Sequence, residues 1–534
     1  MPLIKIDDQE LEIAKGETIF NAAKRIGIEI PYYCYHPGLK IVASCRMCLV
    51  DMVGAPKPVP ACSTTVMDMP EARKVDGKYD AVISTTNERV LTARKAVLEF
   101  ILLNHPIDCP ICDKAGECKL QDYSYEHGNH DSRFIETKRI PEKKDLGPSI
   151  FLYTSRCIMC SRCVRFTQEI TGTEELKVRN RGWHSEIDVA PGHPLDNKMM
   201  GNVVDLCPVG CLIDKHERFE GRVWNFVHTE SVCPGCSKGC NTVLDTMKHQ
   251  KLNLEELVDT VYRVRPRENM EVNQWWICDD GRYLLEGNKD RKRLHFPQIR
   301  VNGSMAEVSW KASLEAAAEK IKAGGKVVFV GSPYASNEEN YLLGKLAKAV
   351  GAGVDVSKPL MGEMHTFKTE MNKYPFTIES EKAPNFRGAK DVLGLSSSNE
   401  EASLSAQTVV MLGNDHLNLQ KKPSTLIAIA SFENAVSKLA DVVLPAAIFT
   451  ETSGTFTNKD GRVQKFNKAV QSPGEAKAVW QILVDLAQAL GQDFYYESVG
   501  AITKEMTEQI SVYKTVDVSA LFAETSWVDE NIIA

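Results

Sequence analysis

No cysteine follows Cys278 in this chain of 534 residues, although sixteen lie between Cys34 and that position. The second half therefore lacks thiolate ligands, and the chain divides into a metal-rich part and a metal-free part. Long hydrophobic runs are also missing. No stretch approaches the roughly 20 apolar residues that cross a bilayer, and the opening "MPLIKIDDQELEI" has neither the basic nor the apolar region of a signal peptide. Neither a secreted nor a membrane-spanning protein is expected. Charge of one sign is not in excess, since 64 basic and 71 acidic residues are interspersed to a net charge of -7. That excludes an electrostatic footprint for nucleic acid, and the short string "KDRKR", Lys289 to Arg293, reads as a solvated turn. A glycine-rich dinucleotide fingerprint after a first strand is absent too. "VVFVGSPYAS", Val327 to Ser336, has a single glycine, so a flavin or nicotinamide donor is expected on a partner.

What is present is cysteine in tight C-x-x-C groups. Reducing compartments keep thiols free, so such groups in a chain without a secretion signal point to metal rather than to disulfides. The length allows about three or four domains by the usual size prior. "PLIKIDDQELEI" reads as a β-hairpin turning at Asp7 and Asp8, and "ETIFNAAKRIGI" as a helix stopped by Gly27. "VLTARKAVLEFILLNHP" predicts a helix with Val97, Leu98, Ile101 and Leu102 on one face, ended by Pro106, which leaves His105 at its terminus. A charged, proline-containing stretch from His130 to Ser149 reads as a connection. Beyond about residue 300, helical patterns such as "WKASLEAAAEKIKAGG" alternate with β-rich runs such as "KVVFVG", "TVVMLGND" and "STLIAIA". This alternation implies a parallel sheet covered by helices.

The cysteines fall into four sets. Cys34, Cys45, Cys48 and Cys62 are spaced C-x10-C-x2-C-x13-C, a long loop able to wrap a two-iron cluster as plant-type ferredoxins do, with zinc as the rival. His36 nearby reads as a packing or supporting residue. In "HPIDCPICDKAGEC", Cys109, Cys112 and Cys118 form a trio short of one ligand. His105 completes it, and a neutral imidazole in place of a thiolate raises a cluster's potential. Cys157, Cys160 and Cys163 form the C-x2-C-x2-C run of bacterial ferredoxins, whose fourth thiolate comes from a distant Cys-Pro, here Cys207-Pro208. Cys211 is then left over and reads as a small buried apolar residue. Cys233, Cys236, Cys240 and Cys278 are a closed four-thiolate set suited to a cubane cluster, again with zinc as the rival. Trp275 and Trp276 beside it read as core packing. Several clusters without an open catalytic position imply conduction of electrons rather than bond chemistry, hence no catalytic residue.

The order of these motifs, from the first loop through "HPIDCPICDKAGEC" to "SRCIMCSRCVRF" and Cys207-Pro208, resembles the large iron-sulfur subunit family of respiratory complex I, the G subunits of NADH-quinone oxidoreductase. The rest of the chain resembles the molybdopterin oxidoreductase superfamily, in "RLHFPQIRVNG" followed by Trp310, in Ala440 to Gln464, and in the Cys233 to Cys278 set. The first resemblance implies a two-iron cluster (2Fe-2S) on Cys34, Cys45, Cys48 and Cys62. It also implies four-iron clusters (4Fe-4S) on His105, Cys109, Cys112 and Cys118 and on Cys157, Cys160, Cys163 and Cys207. A third four-iron cluster, on Cys233, Cys236, Cys240 and Cys278, is kept by only some family members and lies off the main path. Ala43 stands where the family commonly has glycine. No thiolate remains to ligate molybdenum, so no molybdopterin is expected.

The resulting expectation is a multidomain α+β and α/β chain. Residues 1-78 form a β-grasp ferredoxin-like domain, 79-145 and 146-225 helical iron-sulfur domains (the second ferredoxin-like), 226-300 a further cluster domain, and 301-534 an α/β molybdopterin-oxidoreductase-like scaffold. The implied role is an electron relay of NADH:quinone oxidoreductase, between a flavin-bearing NADH-oxidising subunit and the quinone-site iron-sulfur subunits. Contact with the membrane arm is indirect and there is no nucleic-acid partner. The implied place is peripheral, on the cytoplasmic side of the inner membrane. The rival readings are a relay subunit of a soluble NAD-linked hydrogenase or formate dehydrogenase, and a zinc-stabilised scaffold.

Overall fold

The computed structural model describes residues 2-65, 75-129, 131-250, 257-372, 374-399, 403-413 and 422-522. The predicted strand at 408-415 is seen as 408-412, and its last two residues and His130 of the connecting stretch lie outside the described residues. Contacts divide the chain into two compact units: residues 1-225 with the segment 367-375, and residues 226-366 with 376-528.

In the first unit the expected hairpin is β1 (Leu3–Ile6) and β2 (Gln9–Glu12), turning through Asp7 at φ 48°. The helix α1 (Ile19–Arg25) follows, its N-terminus closed by Thr18, whose hydroxyl accepts the Asn21 N–H at 3.2 Å. With β3 (Leu49–Met52), β4 (Val59–Pro60) and β5 (Ala81–Ser84) the hairpin makes a mixed sheet of order β2-β1-β5-β3-β4, in which β1 and β5 are parallel. Ile4, Ile6, Val50 and Ile83 of the sheet and Phe20 and Ala23 of α1 share one core.

The helix α2 (Glu88–Leu102) ends before Pro106 as expected, but Val90, Arg94 and Leu98 form its buried ridge. Val97, Ile101 and Leu102 are only half-buried. Arg94 reaches the Leu49 carbonyl at 3.1 Å, so a charged residue that an apolar pattern skips sets the face. Past the metal loop comes α3 (Lys119–His127). The region expected to be helical then contains a sheet: β6 (Lys143–Asp145), β7 (Ile150–Tyr153), the short helix α4 (Arg162–Phe166), a separate hairpin β8 (Leu176–Arg179) and β9 (Glu186–Val189), α5 (Asn202–Leu206), and β10 (Leu212–Asp214). The order β10-β7-β6 is antiparallel throughout. Strands of three or four residues escape a periodicity reading because they are too short to show an alternation.

The second unit opens on an antiparallel sheet of β11 (Val227–Val232), β12 (Asn241–Gln250) and β13 (Leu257–Pro266), followed by α6 (Asp279–Arg282). Next come β14 (Gln298–Val301), β15 (Ser304–Glu307), α7 (Trp310–Ala323), β16 (Val327–Gly331), α8 (Asn337–Ala349), β17 (Gly353–Val356), β18 (Thr408–Leu412), β19 (Thr425–Ala430) and β20 (Val442–Pro445). They build a seven-stranded sheet of order β15-β14-β20-β19-β18-β16-β17, parallel from β20 to β17 with an antiparallel edge. Phe329, Val410, Ile427 and Leu444 face α7 and α8, while Val328, Val409, Leu426 and Val443 face a second core. Both faces are covered, which is why these strands read as unbroken apolar runs. Among the described residues no helix is long and apolar enough to cross a membrane.

Candidate metal centres

Cys34 and Cys45 lie in the loop after α1, Cys48 directly before β3 and Cys62 just after β4. The loop brings all four thiols together: those of Cys45 and Cys62 interact with Cys34, and Cys62 also with Cys48. The Cys34 N–H points at the Cys45 Sγ at 3.5 Å. Thiol donation from Cys45 and Cys62 holds Cys34 far below the ordinary thiol range, and donation from Cys62 lowers Cys48. Two non-glycine residues in the loop, Ala43 and Arg46, take positive φ of 51° and 60°. The position where the family commonly has glycine is thus one that glycine suits. His36 is engaged within its own loop: its Nδ1 accepts the Gly38 N–H at 3.1 Å, and burial beside Arg162 and Arg165 presses its pKa down to about 3.

His105 follows the end of α2, Cys109 opens a 3-10 turn, and Cys118 caps α3. The Cys112 thiol lies near that of Cys109, and Cys118 near Cys112. Burial raises Cys112, and raises Cys118 to about 11, against the pull of backbone N–H groups of Lys114 for the first and of Gln121 and Leu120 for the second. His105 Nδ1 is buried without a hydrogen-bond partner, and burial, with Lys138 and Arg156, depresses the imidazole to about 4. It is therefore neutral, with a buried ring nitrogen free of any hydrogen bond. Arg156 is common to His105 and the thiols, because its charge acts on both His105 and Cys112 while it pairs with Asp108 at 3.0 Å.

Cys157, Cys160, Cys163 and Cys207 line one small pocket, and Cys211 lines it with them. The run between the first three turns through Met159 and Ser161 at φ 52° and 58°, and the Met159 N–H reaches the Cys157 Sγ at 3.4 Å. Burial lifts Cys160 to about 12 and Cys163 well above the ordinary thiol range, whereas the Cys211 thiol, with the N–H groups of Leu212 and Val209, brings Cys207 down to about 6. Read from spacing as packing, Cys211 is indeed buried, but its thiol meets those of Cys157 and Cys207.

In the second unit Cys233, Cys236 and Cys240 occupy the turn between β11 and β12, closed by the Cys233 N–H on the Cys240 carbonyl at 2.8 Å, and Cys278 caps α6. All four are buried, and Cys240 lies near the other three. Gly281 leaves the room they need, since a Cβ there would stand 2.8 Å from Cys233 Sγ.

The three sets of the first unit adjoin through residues the spacing did not single out. Arg165 donates to the carbonyls of Cys34 and of Cys160, the latter at 3.4 Å, and Arg162 to those of Tyr35 and of Leu206, the latter at 3.0 Å. A Cβ on Gly210 would stand 2.1 Å from Cys112 Sγ, and Cys118 Sγ lies 3.9 Å from the Pro208 carbonyl. The buried phenol of Tyr33, without a hydrogen-bond partner, lies near Cys45 and Cys118. The sequence signal is the string "SRCVRF", which sets Arg162 inside a cysteine run and Arg165 just after it. Thiols grouped by threes to fives, backbone N–H groups aimed at sulfur and an orphaned imidazole nitrogen fit iron-sulfur clusters. Among the described residues no three His, Cys, Asp or Glu side chains converge as a site for a single metal ion.

The metal-free part holds a cavity of about 360 Å³ beside the N-terminus of α8. That terminus, where doubly wound domains commonly face an anion, is closed by the chain itself: Ser336 and Glu339 cap it reciprocally, and burial lifts Glu339 to about 7.

Four family models match. Residues 3-77 match a 2Fe-2S iron-sulfur cluster binding domain, and residues 94-133 the NADH-ubiquinone oxidoreductase-G iron-sulfur binding region. Residues 147-213 match the ferredoxin-like domain of NADH-quinone oxidoreductase subunit 3, and residues 293-381 and 380-489 molybdopterin oxidoreductase. The G subunit of the NADH-quinone oxidoreductase of Rickettsia felis is 29% identical over 99% of this chain and 93% of its own length. The chain is a relative of these G subunits. The 78 kDa subunit of mitochondrial NADH-ubiquinone oxidoreductase of Neurospora crassa is 28% identical over 96% of the chain and 84% of its own. The 75 kDa subunit of Reclinomonas americana reaches 40% over 57% of the chain and 41% of its own. In this relative of the complex I G subunits, each of the first three cysteine sets falls inside one matched segment, and the Cys233 to Cys278 set falls between matched segments.

Proposed function

We propose that the chain is the electron-transfer subunit of a complex I, an NADH:quinone oxidoreductase, and that its partners are other subunits of that complex. The observation that carries this reading is the meeting of three thiol sets within one compact unit, joined by Arg165 and by the Cys207 to Cys211 turn. We assign the two-iron cluster to a β-grasp domain on Cys34, Cys45, Cys48 and Cys62. Four-iron clusters go to His105 with Cys109, Cys112 and Cys118, to Cys157, Cys160, Cys163 and Cys207, and to Cys233, Cys236, Cys240 and Cys278, with the five-domain division given above. Such clusters exchange one electron at a time. The chain's own part is to hold them apart from water and to offset their charge: backbone N–H groups face the sulfurs, and the buried guanidinium groups of Arg94, Arg156 and Arg165 lie close to Cys48, Cys112 and Cys34. Adjacency supports a path in which the set of Cys157 touches both of the others, through Arg165 on one side and Gly210 on the other. NADH oxidation and quinone reduction then belong to partner subunits, the flavin-bearing one and the quinone-site iron-sulfur ones, and the chain is a peripheral subunit on the cytoplasmic face.

The test is to purify the native assembly anaerobically through this chain. Recovery with a flavin subunit and NADH-quinone oxidoreductase activity is expected; recovery with hydrogenase or formate-dehydrogenase activity overturns the reading.

A further inference from the structure

We propose that Cys211 is a fifth thiol of the Cys157, Cys160, Cys163 and Cys207 pocket, and that its S–H donates to the Cys207 sulfur and raises the potential of the four-iron cluster the pocket takes. This rests on the cluster reading above and goes beyond it, because a cubane offers one ligand position per iron and Cys207 completes the four. A fifth thiol there has no iron to bind, and hydrogen bonding to sulfur is the chemistry left to it.

The fold brings both thiols to one pocket. Cys207 ends α5, and four residues later the Cys211 carbonyl accepts the Tyr153 N–H at 2.8 Å, where β10 begins its pairing with β7. The turn is clamped by a helix at one end and a sheet at the other, and both side chains enter the same pocket. At 2% exposure Cys211 has no solvent acceptor, and the groups its thiol meets are the sulfurs of Cys157 and Cys207. The Cys207 sulfur already faces the N–H groups of Val209 and Leu212, so Cys211 adds a third donor. None of the other three sets has a fifth cysteine, since sixteen cysteines and His105 otherwise divide into four sets of four. A residue needed only to fill space would be met equally by alanine or valine; a thiol against two thiolates does more. Reduction adds negative charge to a cluster, and a donor aimed at its sulfur stabilises the reduced form more than the oxidised one, which raises the potential.

The experiment uses the intact assembly carrying Cys211→Ala, Cys211→Ser or Cys207→Ala, with iron and sulfide analysis and a redox titration followed by EPR. Cys211→Ala is expected to keep all its iron, to move one four-iron signal to a more negative potential, and to leave the other signals in place. Cys211→Ser, which restores a donor, is expected to recover part of the shift, while Cys207→Ala loses about four irons per chain. Unchanged potentials and spectra in Cys211→Ala overturn the proposal in favour of packing. Loss of iron in Cys211→Ala with retention in Cys207→Ala overturns it in favour of Cys211 as the ligand. Failure of the cluster reading itself is a separate result, seen as a wild-type assembly whose iron and iron-sulfur signals do not exceed those of the partner subunits.

Discussion

The two units of the chain solve the burial of grouped thiols differently. In the first, three sets share one interior, and buried arginines lie among them: Arg94 by Cys48, Arg156 by Cys112, Arg165 by Cys34 and Cys160. In the second, a single set is built from the turn between β11 and β12 and from Cys278 at the start of α6. Its charged neighbours are Lys238 near Cys240, Lys459 near Cys236, and the carboxylate of Asp280 near Cys233 and Cys278. A guanidinium that donates to the backbone of two cysteine loops fixes their spacing as well as offsetting their charge, whereas Lys238 and Lys459 donate to the side chains of Thr377 and Asp460. The first arrangement suits transfer between neighbouring centres, and the second suits one centre serving its own domain.

The largest effect that would break this comparison lies in the ligands. Cys163→Ala is expected to abolish NADH-quinone turnover in the assembly, while Cys278→Ala, in the set without neighbours in its unit, lowers it far less; equal losses would show that both units conduct. Next, His105→Ala should lose its cluster, whereas His105→Cys keeps a cluster at lower potential, because a thiolate replaces a neutral ligand. Iron content and EPR titration read both, and unchanged spectra would remove His105 from the ligand set.

In the second unit, stability should depend on the buried Asp245, which pairs with Arg265 at 2.7 Å and with Arg263 and His228. Burial opposes its charge, but Arg265, His228 and Arg263 outweigh it and hold its pKa below the ordinary range. A carboxylate depressed in the folded state stabilises above its unfolded pKa, and that stability is lost as pH falls below about 4. Asp245→Asn should therefore cost about 3–5 kcal/mol near neutral pH and weaken the pH dependence of unfolding in acid. In the first unit, Arg165→Met should cost about 2–3 kcal/mol by leaving the carbonyls of Cys34, Lys40 and Cys160 without their donor. It should also displace the two neighbouring EPR signals, and a loss of stability with unmoved signals would reduce Arg165 to packing. The smallest change is a gain: Ala43→Gly relieves a left-handed alanine and should stabilise the first loop by about 1 kcal/mol in thermal unfolding.

The grouping of the thiols was legible because most of the cysteines lie at short, fixed spacings, and the parallel sheet because strands covered on both faces read as unbroken apolar runs. Adjacency was not. Gly210 and Cys112 are far apart in sequence, and no local pattern records that the turn after Cys207 meets the loop after His105. Nor does any pattern place the segment 367-375 with the first unit, where the Thr369 hydroxyl donates to the Glu169 carbonyl. The buried faces of α2 and of the Cys211 thiol escaped for one reason: a polar group that is buried by pairing looks, in sequence, like a surface residue or a spare one.

The most direct test of the account is the iron, acid-labile sulfide and zinc content of the assembly purified anaerobically, expressed per copy of this chain after subtracting the partners' clusters. One two-iron and three four-iron clusters predict about 14 irons with matching sulfide and no stoichiometric zinc. Stoichiometric zinc with little iron would contradict it.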